Sequence, residues 1–200
     1  MNKLLINEKL KEFYIEDIGQ GDVTAGTIFS SNEETTAYFY AKEAGVLAGV
    51  TIIQEMYAII DPFVKVRLEK TDGENVQVNE KIATVTGPVQ AILMGERVIL
   101  NLLQRMSGIA TLTRQTVEKL NDPTIKVCDT RKTTPGLRVF EKYAVTCGGG
   151  FNHRHGLYDG VMIKDNHIVA AGSIKKAVEK VRNKLGPMVK IEVETETKAQ

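Results

Sequence analysis

From Ile125 onward short apolar runs alternate with polar bursts and helical stretches, and that rhythm restricts the fold more than any other feature. Ile125–Cys128 is closed by Asp-Thr-Arg-Lys, Gly160–Ile163 by Lys-Asp-Asn-His, and Val189–Val193 by Glu194. Helical stretches lie between the runs, Leu137–Thr146 and Ser173–Leu185, with Ser173 as N-cap of the second and Gly186 just past its end. Such alternation predicts a parallel sheet with right-handed crossovers. The apolar runs read as buried strands with charge at their C-terminal ends, where ligands bind in barrels and doubly wound sheets. The strands and helices present do not close a barrel, and the chain stops where a further unit is expected to start.

The first half reads differently. Met1–Ile18 is expected as a helix, Gly19–Thr24 as a turn, and Thr35–Glu43 as a β-branched, aromatic strand. Val50–Ile60 has helical spacing and is stopped by Asp61-Pro62. Phe63–Leu68 and Lys81–Val85 read as strands, and the turn spacing from Asp72 to Gly87 suggests a small β-sandwich lobe. Gln90–Met106 is the strongest helix, with an apolar stripe of Ile92, Ile99, Leu102, Leu103 and Met106 and a polar face of Arg97, Asn101 and Gln104. Ser107-Gly108 predicts a break before a second helix, Ile109–Leu120, and so a domain boundary dividing residues 1–107 from 108–200.

Composition narrows the function classes. Lys and Arg number 26 against 25 acidic residues, a net charge of +1, so no global field draws in nucleic acid or anionic membrane. The cations gathered in Arg131–Lys164 are therefore a local feature, suited to a small, multiply charged anion. No apolar run approaches the ~20 residues of a membrane span. The 2 cysteines, Cys128 and Cys147, read as small buried hydrophobes in a reducing cytosol.

The candidate site residues follow from the strand ends. Arg131 offers a planar fork for a carboxylate or phosphate and Lys132 a point charge, although an isolated Arg-Lys pair is more often a solvated loop. Gly148–Gly150 permit close backbone approach and positive φ ahead of His153, Arg154 and His155. Zinc ligation by Cys128, Cys147, His153 and His155 is disfavoured, because no paired Cys-x-x-Cys is present. Lys164 suits either a Schiff base or an anion contact, and the residue pattern leaves both open. Glu192, Glu194 and Glu196 alternate onto one strand face, with Glu194 at the strand end. Arg97 alone reads as a surface arginine or as a group reaching a neighbouring subunit.

At these residues the chain resembles the quinolinate phosphoribosyltransferases. The resemblance rests on GDVT (Gly21–Thr24), ERVILNLLQRMSGIAT (Glu96–Thr111), DTRKTTPGLR (Asp129–Arg138), GGGFNHRHGLYDGVMIKDNHI (Gly148–Ile168) and IEVE (Ile191–Glu194). It implies an α/β fold class, an N-terminal α/β sandwich domain followed by the first half of an incomplete (β/α) barrel. It implies transfer of the phosphoribosyl group of phosphoribosyl pyrophosphate, with Mg²⁺, to quinolinate, giving nicotinate mononucleotide, pyrophosphate and CO₂. Site roles come with the resemblance. Arg131 and Arg154 would hold the quinolinate carboxylates beside Thr130, His153 and Lys164. Lys132 would contact the phosphoribosyl substrate, and Glu194 its ribose or metal. Arg97 would be donated across a homodimer interface. Members of the family continue for further barrel units, so poor turnover by the 200-residue chain alone is expected. The alternatives are a related enzyme of another anion and a non-catalytic dimerising fragment.

Overall fold

The computed structural model describes residues 2–197 and 200. The chain divides into two compact units, Met1–Asn152 and His153–Gln200.

In the first unit, α1 (Lys3–Ile18) is capped by Asn2, whose Oδ1 accepts from the backbone amides of Leu4 and Leu5 at 3.1 and 3.4 Å. The Gly21–Thr24 turn leads into a short α2 (Ala25–Ile28), and Asp22 Oδ1 accepts from the amides of Thr24 and Ala25 at 2.8 and 2.9 Å. Then come β1 (Glu34–Tyr40), β2 (Gly45–Val46), α3 (Thr51–Ile60), β3 (Lys65–Leu68), β4 (Asn75–Val76) and β5 (Lys81–Pro88). β5 lies centrally in an antiparallel sheet of order β1-β5-β3, and β2 pairs with β4. Among the described residues the stretch from Asp72 to Gly87 therefore does not form the small β-sandwich lobe its turn spacing suggests. Its strands belong to these two ladders because Ile82, Ala83 and Val85 of β5 are buried in one shared core. Ile52, Ile53 and Met56 of α3 and Ile99, Leu102 and Met106 of the next helix complete that core, which buries aliphatic side chains worth ~1.5–3 kcal/mol each.

That next helix, α4 (Val89–Leu120), runs unbroken through Ser107-Gly108, where a break was expected. The apolar stripe continues across the position, with Met106 and Ala110 both fully buried. A glycine costs about 1 kcal/mol relative to alanine in a helix interior, far less than that stripe returns. Ser107 also has a tertiary partner, its Oγ accepting from the Ala48 amide at 3.1 Å. Thr111 Oγ1 accepts from the Val46 amide at 2.8 Å, so the supposed hinge is where α4 holds the β2 edge.

After α4, α5 (Arg138–Cys147) packs back on it. The Gly148–Gly150 run marks their closest approach. A Cβ on Gly148 would stand 2.4 Å from the Ala110 carbonyl oxygen, and Gly149 has φ +91°. Arg114 of α4 donates from Nε to the Gly148 carbonyl at 3.1 Å and from Nη2 to the Cys147 carbonyl at 3.3 Å. A cation thus meets the last carbonyls of α5, where the helix dipole favours it. Gly148→Ala pushes two helix backbones apart. The expected loss is about 2–3 kcal/mol, read as a thermal midpoint lower by about 4–12 °C in a scanning denaturation.

The run Ile125–Cys128 is not the buried strand its sequence suggests. Only a parallel bridge, Cys128 to Phe151, forms there, and Ile125 and Cys128 are exposed. With one neighbour at one residue pair, neither face of the run is covered on both sides, so apolar content alone does not bury it.

In the second unit, β6 (Val161–Ile163) is followed by α6 (Asp165–Ala171), α7 (Ile174–Arg182) and β7 (Ile191–Val193). β6 and β7 are parallel, with Ile163 opposite Val193. Ser173 caps α7 by accepting from the Lys176 amide at 3.2 Å. The α6 turn is an addition to the sequence reading, which takes Lys164–His167 only as a polar burst. His167 Nδ1 accepts from the Lys164 amide at 3.0 Å and starts the helix.

Candidate active site

Charge gathers where strand-like segments end. In the first unit the chain leaves the Cys128–Phe151 bridge and enters Asp129–Thr134, a loop whose conformation is fixed by hydrogen bonds from all sides. Thr130 Oγ1 accepts from the Lys132 amide at 3.0 Å. Thr133 Oγ1 accepts from Arg138 Nε at 3.0 Å. Glu141 Oε2 accepts from the Thr134 amide at 3.1 Å, and Arg105 donates to Glu141 Oε1 and Thr134 Oγ1 at 2.7 and 2.6 Å. The loop borders a cleft of about 320 Å³ lined by Thr130, Lys132 and Thr133 above Ile109 and Val145.

Behind that loop lies a buried charge pair. Lys142 Nζ donates to Asp129 Oδ1, with side-chain exposures of 1% and 6%. Asn152 Nδ2 donates to Asp129 Oδ2 at 2.6 Å and to the Lys142 carbonyl at 2.7 Å. Two ions out of water persist only with such additional partners. The pair fixes Asp129 relative to the 151–152 segment, whose Phe151 carbonyl accepts from the Asp129 amide at 3.0 Å.

Arg131 is the exception in this well-partnered loop. Its Nε is buried and has no hydrogen-bond partner among the described residues. A desolvated donor left unmade costs about 1–3 kcal/mol, and an arriving anion removes that cost. Lys132 is exposed at the cleft.

In the second unit the parallel register puts Lys164, just after β6, beside Glu194, just after β7. Their side chains pair at 2.8 Å with exposures of 45% and 61%. His153 Nε2 lies 2.9 Å from Glu192 Oε2. Arg154 Nη1 donates to the Gly160 carbonyl at 3.0 Å, leaving other guanidinium donors. The exposed Lys164–Glu194 pair contributes at most about 1 kcal/mol, so a charged ligand can displace it. A depression of about 470 Å³ is lined by Arg182, Leu185, Pro187 and Val189 at the other end of β7, away from these charges.

The sequence-named residues thus fall into two sets. Thr130, Arg131 and Lys132 share one loop of the first unit, and His153, Arg154, Lys164 and Glu194 lie at strand ends of the second. Arg97 stands exposed on α4 with Asn101 and Gln104, as the helix spacing requires. The sequence reading does not single out Arg105, Glu141, Lys142 or Asn152. Nothing in their spacing marks them, because Arg105, Glu141 and Lys142 meet the loop through the packing of α4 and α5, and Asn152 meets it beside the Cys128–Phe151 bridge. Among the described residues no group of three or more His, Cys, Asp or Glu side chains is placed to hold a metal ion.

The thiols differ from the expectation of two buried cysteines. Cys128 is exposed and Cys147 half-buried. Burial, and after it the Asp72 carboxylate, pushes the Cys147 thiol up to about 11. Burial and a 2.8 Å hydrogen bond to Asp72 Oδ2 likewise hold the Tyr143 phenol above its usual range. At pH 8 only about one Cys147 in a thousand is thiolate, and thiolate is the reactive form. A chromogenic disulfide at pH 8 is expected to give one fast phase, lost in Cys128→Ser, and one slow phase. The slow phase should quicken roughly tenfold per pH unit up to about 11.

Comparison with known proteins agrees with this architecture. Residues 22–107 match the family described as quinolinate phosphoribosyl transferase, N-terminal domain, and residues 109–200 match its C-terminal domain. A probable nicotinate-nucleotide pyrophosphorylase [carboxylating] of Bacillus subtilis is 54% identical over 200 residues, all of this chain and 69% of that protein. A quinolinate phosphoribosyltransferase [decarboxylating] of Nicotiana tabacum is 46% identical over 92% of this chain and 53% of its own length. The chain therefore spans about two thirds of its bacterial relatives and about half of the plant ones. Among solved structures, NadC from Streptococcus pyogenes superposes with a TM-score of 0.94 at 44% identity, covering 98% of this chain and 70% of that one. The nicotinate-nucleotide pyrophosphorylase from Francisella tularensis gives 0.92 at 39% identity, covering 100% and 70%. With both domains matched in order and identity near one half, the chain belongs to the quinolinate phosphoribosyl transferase family.

Proposed function

We propose that the chain transfers the phosphoribosyl group of phosphoribosyl pyrophosphate to quinolinate, with loss of CO₂ and pyrophosphate, to form nicotinate mononucleotide for NAD biosynthesis. The observation that carries this reading is Arg131, a guanidinium with a buried nitrogen that has no partner among the described residues, in a loop held by hydrogen bonds at Thr130, Thr133 and Thr134. A dicarboxylate supplies the acceptor that the loop lacks. Arg131 and Arg154 take the two carboxylates, with Thr130 and His153 alongside. Lys132 meets the phosphoribosyl substrate. Lys164 and Glu194, paired at 2.8 Å, exchange each other for substrate groups, Lys164 for an anionic oxygen and Glu194 for a ribose hydroxyl.

The chemistry requires no nucleophilic side chain. The pyridine nitrogen attacks C1 of the ribose as the bond to pyrophosphate breaks, and the electron pair leaves on the diphosphate oxygen. Fixed cations stabilise that developing charge. The ring nitrogen, now positive, stabilises the carbanion left on the adjacent ring carbon when the carboxylate departs as CO₂, and a proton then adds at that carbon. Mg²⁺ suits this site as part of the incoming substrate. Magnesium is commonly held by one or two carboxylates together with phosphates, and exposed Glu194 is such a carboxylate. There it would neutralise diphosphate charge.

We further read the protein as a cytoplasmic homodimer of two-domain chains, residues 1–107 and 108–200. Arg97 would be the residue contributed across the interface, which suits its exposed place on α4. Incubating the chain with quinolinate, Mg²⁺ and phosphoribosyl pyrophosphate and following nicotinate mononucleotide by absorbance tests the reading. Slow product formation that requires both substrates is expected. A chain that shows neither quinolinate binding nor turnover would refute the reading.

A further inference from the structure

The Arg131–Lys132 loop is held by residues that lie outside the groups read as touching substrate. Glu141 on α5 sits at the centre. Its two carboxylate oxygens serve two different elements, Oε2 accepting from the Thr134 amide at 3.1 Å and Oε1 from Arg105 Nε of α4 at 2.7 Å. Arg105 closes the ring by donating from Nη2 to Thr134 Oγ1 at 2.6 Å. The Glu141 side chain is 10% exposed and that of Arg105 46%, so the pair is anchored on its carboxylate side. Leu137 donates its amide to the Thr134 carbonyl at 3.0 Å, and Thr134 is thereby engaged through its amide, its carbonyl and its hydroxyl. The loop ends on a fixed post three residues beyond Arg131.

We propose that Glu141, acting through Arg105 and Thr134, is a positioning residue that sets the Thr130–Thr134 loop so that Arg131 and Lys132 face the dianionic substrate. This rests on the functional reading given above. Two facts favour positioning over a simple fold contact. Glu141 lines the same cleft as Thr130, Lys132 and Thr133, so the centre of the ring lies against the space a ligand would enter. Arg131 Nε stays buried without a partner, a state that persists only while its loop is held. Glu141→Gln keeps the shape but turns one of the two acceptors into a donor facing a donor. The strain then falls on the Thr134 end of the loop.

Calorimetric titration of the chain with quinolinate and with nicotinate, which carries one carboxylate fewer, tests this. Glu141→Gln is expected to weaken quinolinate binding about tenfold or more and to shrink the preference for quinolinate over nicotinate. Thr134→Val removes only the hydroxyl acceptor of Arg105 and is expected to shift both quantities the same way by less. It decides the matter if Glu141→Gln does not fold. A lower thermal midpoint with the dissociation constant and the preference unchanged marks a structural role and overturns the proposal. Failure of the unaltered chain to bind quinolinate instead overturns the functional reading, and the proposal falls with it.

Discussion

Arg131→Ala is expected to weaken quinolinate binding by about two to three orders of magnitude, from the loss of charge-assisted hydrogen bonds worth roughly 1.5–3 kcal/mol each. The size follows from the state of the side chain before ligand arrives. Its Nε is already out of water and already without a partner, so binding removes a penalty as well as making a contact. Arg131→Lys should recover only part of the affinity, since an ammonium cannot present two parallel donors to one carboxylate. The thermal midpoint should hardly fall in either variant and could rise, because the unpartnered donor is gone. Calorimetry with quinolinate reads the first effect and a denaturation scan the second. Binding unchanged in Arg131→Ala would remove Arg131 from the site.

The second large effect concerns stability. Lys142→Ala takes the Lys142 cation away from the buried Asp129 carboxylate, and breaking a buried pair in this way costs about 3–5 kcal/mol. Asn152, a neutral donor at 2.6 Å, does not replace that positive charge. For a chain of this length the thermal midpoint should drop by about 6–20 °C. Lys142→Met with Asp129→Asn removes both charges together and should cost clearly less than the sum of the single substitutions. Additive losses, measured by urea denaturation of all three variants, would show that the two charges do not depend on each other. The same pair ties Asp129 to the 151–152 segment, so loss of order there should accompany Lys142→Ala and appear as faster amide exchange at Phe151.

Much of this protein was legible without coordinates, and the reasons are local. The GDVT turn, the Ser173 cap, and the amphipathic α3 and α4 each declare themselves within a few residues, because capping and the helical period are short-range physics. The strand–loop–helix rhythm placed Lys164 after β6 and Glu194 after β7, and the parallel register then brought them together. Where sequence misled, a distant partner had overridden a local signal. Ser107-Gly108 looks like a break and is not one, since Ala48 and Val46 hydrogen-bond to that stretch of α4 and the core stripe passes through it. Ile125–Cys128 looks like a buried strand and has one bridge partner, so burial failed where the neighbour was missing. Gly148 reads as freedom for a ligand loop, whereas its lack of a side chain serves the contact with Ala110.

By itself the sequence determined the kind of chemistry. Arginines, lysines and a glutamate after successive apolar runs on a chain of net charge +1 suit a small polyanionic ligand, because residue type fixes charge and donor geometry. Only the tertiary structure decided which residues hold those cations in place. Glu141, Arg105, Lys142 and Asn152 act across separations that no periodicity encodes, and hydrogen bonds and buried charge pairs depend on distance in space, which packing alone sets.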